Sequence, residues 1–223
     1  MDDIAGVVIA GGAGQRIGAE KALIPFGTAT LIEVVITRVT PQVRTLALNV
    51  PGDRCDHYAA RFGLSVLSDT DGGGNGPLGG IVAGLTWAGQ LSGIRWLATF
   101  PCDTPFLPND LVARLAAARD PVDPRPVVVR DLENVHALCA LWPCSALASL
   151  RAGIADGAYR SVRRALDIHR AHHLVISDAG NAFYNVNTQA DLAVARHLAS
   201  MESSAGDAPT GSESAAPIRA DRP

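Results

Sequence analysis

Apolar residues along the chain fall into two alternating rhythms. Short β-branched runs predict strands over Ile4–Ala10, Val43–Asn49, Leu64–Leu67, Ile94–Phe100, Pro126–Val129, Val135–Leu141 and Leu174–Ile176. Amphipathic stretches predict helices over Leu31–Val39, Asp53–Phe62, Leu78–Ala88, Asn109–Ala118, Ser145–Ala155, Ser161–Ile168 and Thr188–Leu198, with Thr188 capping the last and Pro108-Asn109 opening the fourth. Strands that alternate with helices imply βαβ units and a mostly parallel sheet covered on both faces. The unbroken apolar run Val7-Val8-Ile9 is what a central strand of such a sheet looks like. The four residues Asp131-Leu132-Glu133-Asn134 read as a hairpin turn, so one antiparallel pair is expected in the sheet.

From Ser200 onward the pattern stops. This Ser/Ala/Gly/Pro/Glu-rich segment has only Met201 and Ile218 as sizeable apolar groups and cannot offset the entropy of ordering it. The expected division is therefore a folded unit over 1–199 and a disordered tail over 200–223. The chain of 223 residues is long enough to bury a core without disulfides or metal. A net charge of −3 argues against nonspecific binding of nucleic acid, and no apolar run is long enough for a membrane span. The opening Met1-Asp2-Asp3 is no export signal, so a soluble cytoplasmic protein is expected. Four scattered cysteines, Cys55, Cys102, Cys139 and Cys144, form no CxxC pair and read as small core residues.

Ligands of open α/β sheets sit beyond the carboxyl ends of the strands. That rule directs attention to 11–21, 49–54, 68–80 and 101–108, all rich in Gly, Pro, Asp or Asn. The first of these loops runs from Gly11 to Lys21. Its glycines are spaced too widely for a dinucleotide fingerprint, and its lysine is misplaced for a Walker loop. It nonetheless offers a backbone that phosphates can approach, with Arg16 as a forked cation and Lys21 as a compact one. The alternative is an ordinary βα turn with two solvated cations. Lys21 stands out further because it is the only lysine among the 19 basic residues. Asp103, in Pro101-Cys102-Asp103-Thr104-Pro105-Phe106, is placed either to hold Mg²⁺ or to cap the following turn. The six histidines fall in no nucleophile motif and read as surface or satisfied residues.

Four segments in order resemble one family: Gly11-Gly12-x3-Arg16-x-Gly18-x2-Lys21, Gly76-Pro77-Leu78, Pro101-Cys102-Asp103-x-Pro105-Phe106, and Asn185-Val186-Asn187-Thr188 before Asp191-Leu192. The chain resembles the molybdenum cofactor guanylyltransferases over essentially all of its expected folded part. The resemblance implies a single Rossmann-like nucleotidyltransferase domain with one antiparallel strand and helices on both faces. It implies transfer of GMP from GTP, with Mg²⁺, to molybdenum-bound molybdopterin, releasing pyrophosphate. Molybdoenzymes or other cofactor-biosynthesis proteins are the further partners it implies. Carried over by position, Ile9, Ala10 and Gly11 contact the guanine nucleotide, Lys21 binds phosphate, and Asn49 and Asp69 line the nucleoside pocket. Asp103 binds Mg²⁺, Asn185 and Asn187 face the pterin, and Arg16, Lys21 and Asp103 serve the transfer itself. The family's proline after Thr188 is here Gln189, which is expected to loosen the loop carrying Asn187.

Two other readings compete. One is a related enzyme, either a cytidylyltransferase of the same cofactor or a sugar-phosphate nucleotidyltransferase. The other is a nucleotide-binding adaptor for molybdoenzyme maturation without turnover, which would not need Arg16, Lys21 and Asp103 together.

Overall fold

The first strand feeds two cores at once. β1 (Ile4–Ile9) is buried along its whole length. Ile4 and Val8 join one apolar cluster, while Ala5, Val7 and Ile9 join another on the opposite face. This is the two-sided burial expected of a central parallel strand. The computed structural model describes residues 2–10, 20–69, 76–120 and 122–206.

Around β1 lie β4 (Thr45–Asn49), β5 (Ser65–Leu67), β6 (Trp96–Pro101), β7 (Val127–Arg130), β8 (Val135–Pro143) and β9 (His172–Val175), in the order β5-β4-β1-β6-β8-β7-β9. A separate two-stranded ribbon joins β2 (Pro25–Phe26) to β3 (Ala29–Thr30). In the main sheet every strand is parallel to its neighbour except β8, which runs antiparallel to both β6 and β7. The expected antiparallel strand and its turn are both present, with Asp131 N–H donating to the Asn134 carbonyl at 3.0 Å.

The helices are α1 (Leu31–Val39), α2 (Cys55–Phe62), α3 (Pro77–Ala88), α4 (Leu111–Ala117), α5 (Leu147–Ala155), α6 (Val162–Ile168) and α7 (Gln189–Gly206). Residues of α1, α2 and α4 fill the cluster on one face of the sheet, and residues of α3, α5 and α6 fill the other. α3 lies unusually close to the sheet because Gly84 faces it. A Cβ there would come within 2.9 Å of Leu97 Cδ2 and 3.0 Å of Val7 Cγ1. A third, smaller cluster joins Phe26, Leu31 and Phe106 to Val186, Leu192 and Ala195, and so clamps the start of α7 near the ends of the strands.

Two expectations need correction. The β2–β3 ribbon was not foreseen, since two-residue strands about Gly27, which has φ +66°, leave no periodic signal. The tail does not begin at Ser200, because α7 continues through Gly206. Leu192 and Ala195 anchor the helix, and adding residues to a formed helix is cheap even when they bury little. Met201 accordingly lies on the extension but is largely exposed. Residues 207–223 lie outside the described residues.

Candidate active site

Parallel pairing brings three strand ends level. Ile9 is in register with Asn49 on one side and Pro101 on the other. The backbone continues this ladder past β1, with Ala10 N–H donating to the Asn49 carbonyl at 2.8 Å and Cys102 N–H to the Ile9 carbonyl at 3.3 Å. Ile9, Ala10, Asn49 and Asp103 therefore share one edge, as the strand-end rule requires. Gly11 and Arg16 lie outside the described residues.

On the β4–β5 side of that edge, Asn49 is buried within the apolar sequence Thr45-Leu46-Ala47-Leu48-Asn49. A buried amide must be satisfied, and its Nδ2 donates to Asp69 Oδ1 at 3.0 Å and to the Leu67 carbonyl at 3.4 Å. The first turn of α3 closes over this pair. A Cβ on Gly79 would stand 2.7 Å from Asp69 Oδ2, and one on Gly80 would overlap Asn49 Oδ1. The two glycines after Pro77-Leu78 are thus required for the close approach, and a carboxylate and an amide are presented beside a helix start. Gly76, at φ +52°, makes the turn into the helix in a conformation that favours glycine.

On the other side of the edge stands the sole lysine. Lys21 opens a 3₁₀ turn over Lys21–Leu23, and its ammonium is paired with the Asp103 carboxylate. The same Nζ donates to Asn187 Oδ1 at 2.7 Å and reaches Asn185 Oδ1 at 3.5 Å. Asp103 Oδ1 takes the buried Thr104 hydroxyl at 3.4 Å. Four residues from three distant parts of the chain therefore meet at one cationic centre. Both members of the ion pair keep about one-sixth of their side-chain surface exposed, so incoming ligand can reach them.

Each part of this cluster has its own support. Glu20, next to Lys21, accepts from the Tyr58 hydroxyl at 2.6 Å and from Arg54 at 2.8 Å. Burial works against the Glu20 charge, but the bonds from Tyr58 and Arg54 outweigh it and lower the pKa. Burial and the Glu20 bond together push the Tyr58 phenol far up. Asn187 is held from below by Asp191, whose Oδ2 accepts the backbone N–H groups of Asn187 at 2.9 Å and Thr188 at 2.8 Å. Thr188 returns the bond, its Oγ1 accepting Asp191 N–H at 3.1 Å. The Asn187 backbone bond is the main cause of the lowered Asp191 pKa. This reciprocal cap ties the Asn187 loop to the start of α7, where Gln189 stands in place of the family's proline. Val186 N–H, donating to the Asp103 carbonyl at 2.9 Å, fastens the same loop to the β6 end.

The oxygens of Asp103, Asn185 and Asn187 converge on a cation and include a single carboxylate, which is a donor set that suits Mg²⁺ completed by substrate phosphates. Among the described residues no three His, Cys, Asp or Glu side chains form a protein-only metal cage. Cys102 and Cys139 are buried thiols whose pKa values burial drives up, and Cys55 and Cys144 are half-buried at the margins of the core, in keeping with the packing role expected of them. His136, expected to be a surface or satisfied residue, is paired with Asp131 and stacked on Phe183, two residues before Asn185.

Residues 6–173 match the family model for the MobA-like NTP transferase domain. A curated molybdenum cofactor guanylyltransferase of Mesorhizobium japonicum is 39% identical over 207 residues, covering 90% of this chain and 99% of its own. The chain belongs to the molybdenum cofactor guanylyltransferase family. A second member, from Acidiphilium cryptum, is 40% identical over 188 residues, covering 83% of this chain and 90% of its own. The fold is also that of a solved structure, molybdopterin-guanine dinucleotide biosynthesis protein A from Archaeoglobus fulgidus. That protein is 22% identical with a TM-score of 0.70, over 88% of this chain and 99% of that one. As a member of this family the chain is a nucleotidyltransferase of molybdenum cofactor biosynthesis. Among the described residues no helix is long and apolar enough to cross a membrane.

Proposed function

We propose that the chain transfers GMP from GTP to molybdenum-bound molybdopterin, forming the guanine dinucleotide cofactor and releasing pyrophosphate. The observation that carries the reading is the meeting of Lys21, Asp103, Asn185 and Asn187 at one centre, on the same strand edge as the buried Asn49 and its partner Asp69.

The reaction needs little covalent work from the protein. The terminal phosphate of the acceptor attacks the α-phosphorus of GTP in line, and pyrophosphate leaves from the opposite side. An ionised phosphate needs no general base, so catalysis rests on positioning and on spreading charge. Lys21 supplies a compact cation at the strand edge, and Arg16 adds a second from the glycine loop. Asp103, with the amide oxygens of Asn185 and Asn187, would hold Mg²⁺, which when bound neutralises charge on the phosphates. Asn49 and Asp69, pressed against the glycine turn of α3, form the nucleoside side, with Ile9 and Ala10 at the end of β1 beside it and Gly11, by the family resemblance, as a further nucleotide contact. Asn185 and Asn187 mark the side from which the pterin approaches. The Lys21–Asp103 pair holds both charged groups at the strand edge before substrate arrives, and bound phosphate and Mg²⁺ would each take over one partner of that contact.

The test is stoichiometric. Purified protein with Mg²⁺ and GTP should release one pyrophosphate for each guanine dinucleotide cofactor formed, and only when molybdenum-loaded molybdopterin is present. Pyrophosphate release without an acceptor, or none with it, would contradict the reading.

A further inference from the structure

The hairpin between β7 and β8 carries a residue that none of the steps above uses. His136 Nε2 lies 2.7 Å from Asp131 Oδ2. Its ring stacks on Phe183 at 4.5 Å between centroids and 26° between planes. Asp131 is itself fixed, accepting the backbone N–H groups of Glu133 at 2.8 Å and Asn134 at 2.6 Å. The Asn134 backbone bond first, then the His136 side-chain bond and the Glu133 backbone bond, lower its carboxyl pKa to about 2. The ring is thus locked on one edge and one face.

The strand geometry is bent to achieve this. Val128 is opposite Ala140, but Val129 is opposite His136, so β8 spends three extra residues between the two pairs. Without the irregularity Val129 would face Cys139. The bulge instead turns His136 to the side of Val129, the face on which Phe183 is packed. Bulges re-aim side chains, and here the side chain re-aimed is that of His136.

Position decides what the side chain is aimed at. From β4, which ends at Asn49, three strand spacings lead through β1 and β6 to β8, or roughly 14 Å at the usual separation. His136 therefore stands across Asp103 from the Asn49–Asp69 pair. Phe183, against which it stacks, is at most about 7 Å along the chain from Asn185, which reaches Lys21. A group here is far from the nucleoside and close to the amides that flank the acceptor path. Nδ1 has no hydrogen bond among the described residues, and 18% of the side chain remains exposed.

We propose that His136 is an acceptor-binding residue: its ring, oriented by Asp131 and backed by Phe183, hydrogen-bonds through Nδ1 to the polar edge of the pterin. The proposal rests on the guanylyl-transfer reading above. Asp131 and Phe183 are positioning residues that act through His136.

The test measures KM for molybdenum-loaded molybdopterin, and separately the Kd for GTP with Mg²⁺, in the full chain. His136→Ala removes both edges of the ring. His136→Asn keeps a hydrogen-bonding group near the Nδ1 position but loses the link to Asp131. In His136→Ala the acceptor KM should rise about tenfold or more, as expected for one lost bond to a polar ligand, while GTP Kd stays within about twofold. His136→Asn should recover part of the loss. Should His136→Ala fail to fold, Asp131→Asn must raise the acceptor KM in the same selective way. An acceptor KM close to wild type, or a GTP Kd that moves in parallel, would overturn the proposal while leaving the transfer reaction in place. A wild-type protein that does not use the acceptor would overturn both.

Discussion

Lys21 Nζ donates to Asn187 Oδ1 at 2.7 Å, across 166 positions of sequence. The contact joins the loop after the first strand to the segment before the last helix, and Asp103 lies between them as the third partner. A single ammonium thus fastens the segment after the first strand to the Asn185–Asn187 segment. Three oxygens around one small cation also explain why lysine stands here in a chain that uses arginine everywhere else.

Lys21→Arg keeps the charge but replaces a compact ammonium with a planar fork, which three converging oxygens do not accommodate. Turnover of GTP should fall by about tenfold or more, with the melting temperature changed little because the positive charge opposite Asp103 is retained. Steady-state kinetics beside a thermal melt checks this. Wild-type kinetics would leave Lys21 a structural tie between chain segments with no part in turnover.

Asp103→Asn keeps the shape and removes the only carboxylate of the oxygen set. The expected loss is about a hundredfold or more in turnover, the size of several kcal/mol of charge stabilisation. Activity should be measured across a Mg²⁺ titration. Near-normal activity at low Mg²⁺ would remove Asp103 from the metal site.

Gly80→Ala tests the nucleoside side. The added methyl overlaps Asn49 Oδ1, and Asn49 is buried with its amide committed to Asp69. Displacing it should cost about 1–3 kcal/mol of stability, as overpacking usually does, and weaken GTP binding along with it. Denaturant unfolding and nucleotide titration read the two effects. Unchanged GTP affinity would show that the Asn49–Asp69 pair is structural only.

Tyr58→Phe removes one bond from Glu20, and the expected cost is about 1–2 kcal/mol near neutral pH. The sign with pH follows from linkage. The folded-state pKa of Glu20 is lowered, so its contribution is full above the unfolded value of 4.5 and is lost as pH falls through the folded value. In Tyr58→Phe the folded value moves back up. The stability gap between variant and wild type should therefore narrow on acidification below about pH 4.5. A gap that widens there would contradict the Glu20–Tyr58 account.

Legibility varied with the length of the signal. The nine residues of α1 carry a full amphipathic pattern, and its bounds fall at Leu31 and Val39 as the sequence predicts. The parallel core was legible for the same reason, since β1 is apolar on both faces. Asn49 was legible only in part: the strand-end rule marked the segment 49–54, but one amide ending an apolar strand has no periodicity, and its role came from the family resemblance. Asp191 was visible in the motif, but its role as the cap beneath Asn187 depends on two backbone bonds that no pattern encodes. His136 was hidden by the bulge. Alternation in a regular β8 would have placed it on the face opposite Cys139 and away from Phe183.

Base choice bears most directly on guanylyl transfer. Guanine presents N–H donors at N1 and N2 and an acceptor at O6, whereas cytosine is smaller and shows a different edge. A pocket that pairs buried polar groups with one base leaves them unpaired with the other, at about 1–3 kcal/mol for each group. The decisive measurement is kcat/KM for GTP and for CTP with molybdenum-loaded molybdopterin as acceptor. Two such groups at mid-range predict a preference for GTP of at least about a hundredfold. Equal or better use of CTP would contradict guanylyl transfer and make the chain a cytidylyltransferase of the same cofactor.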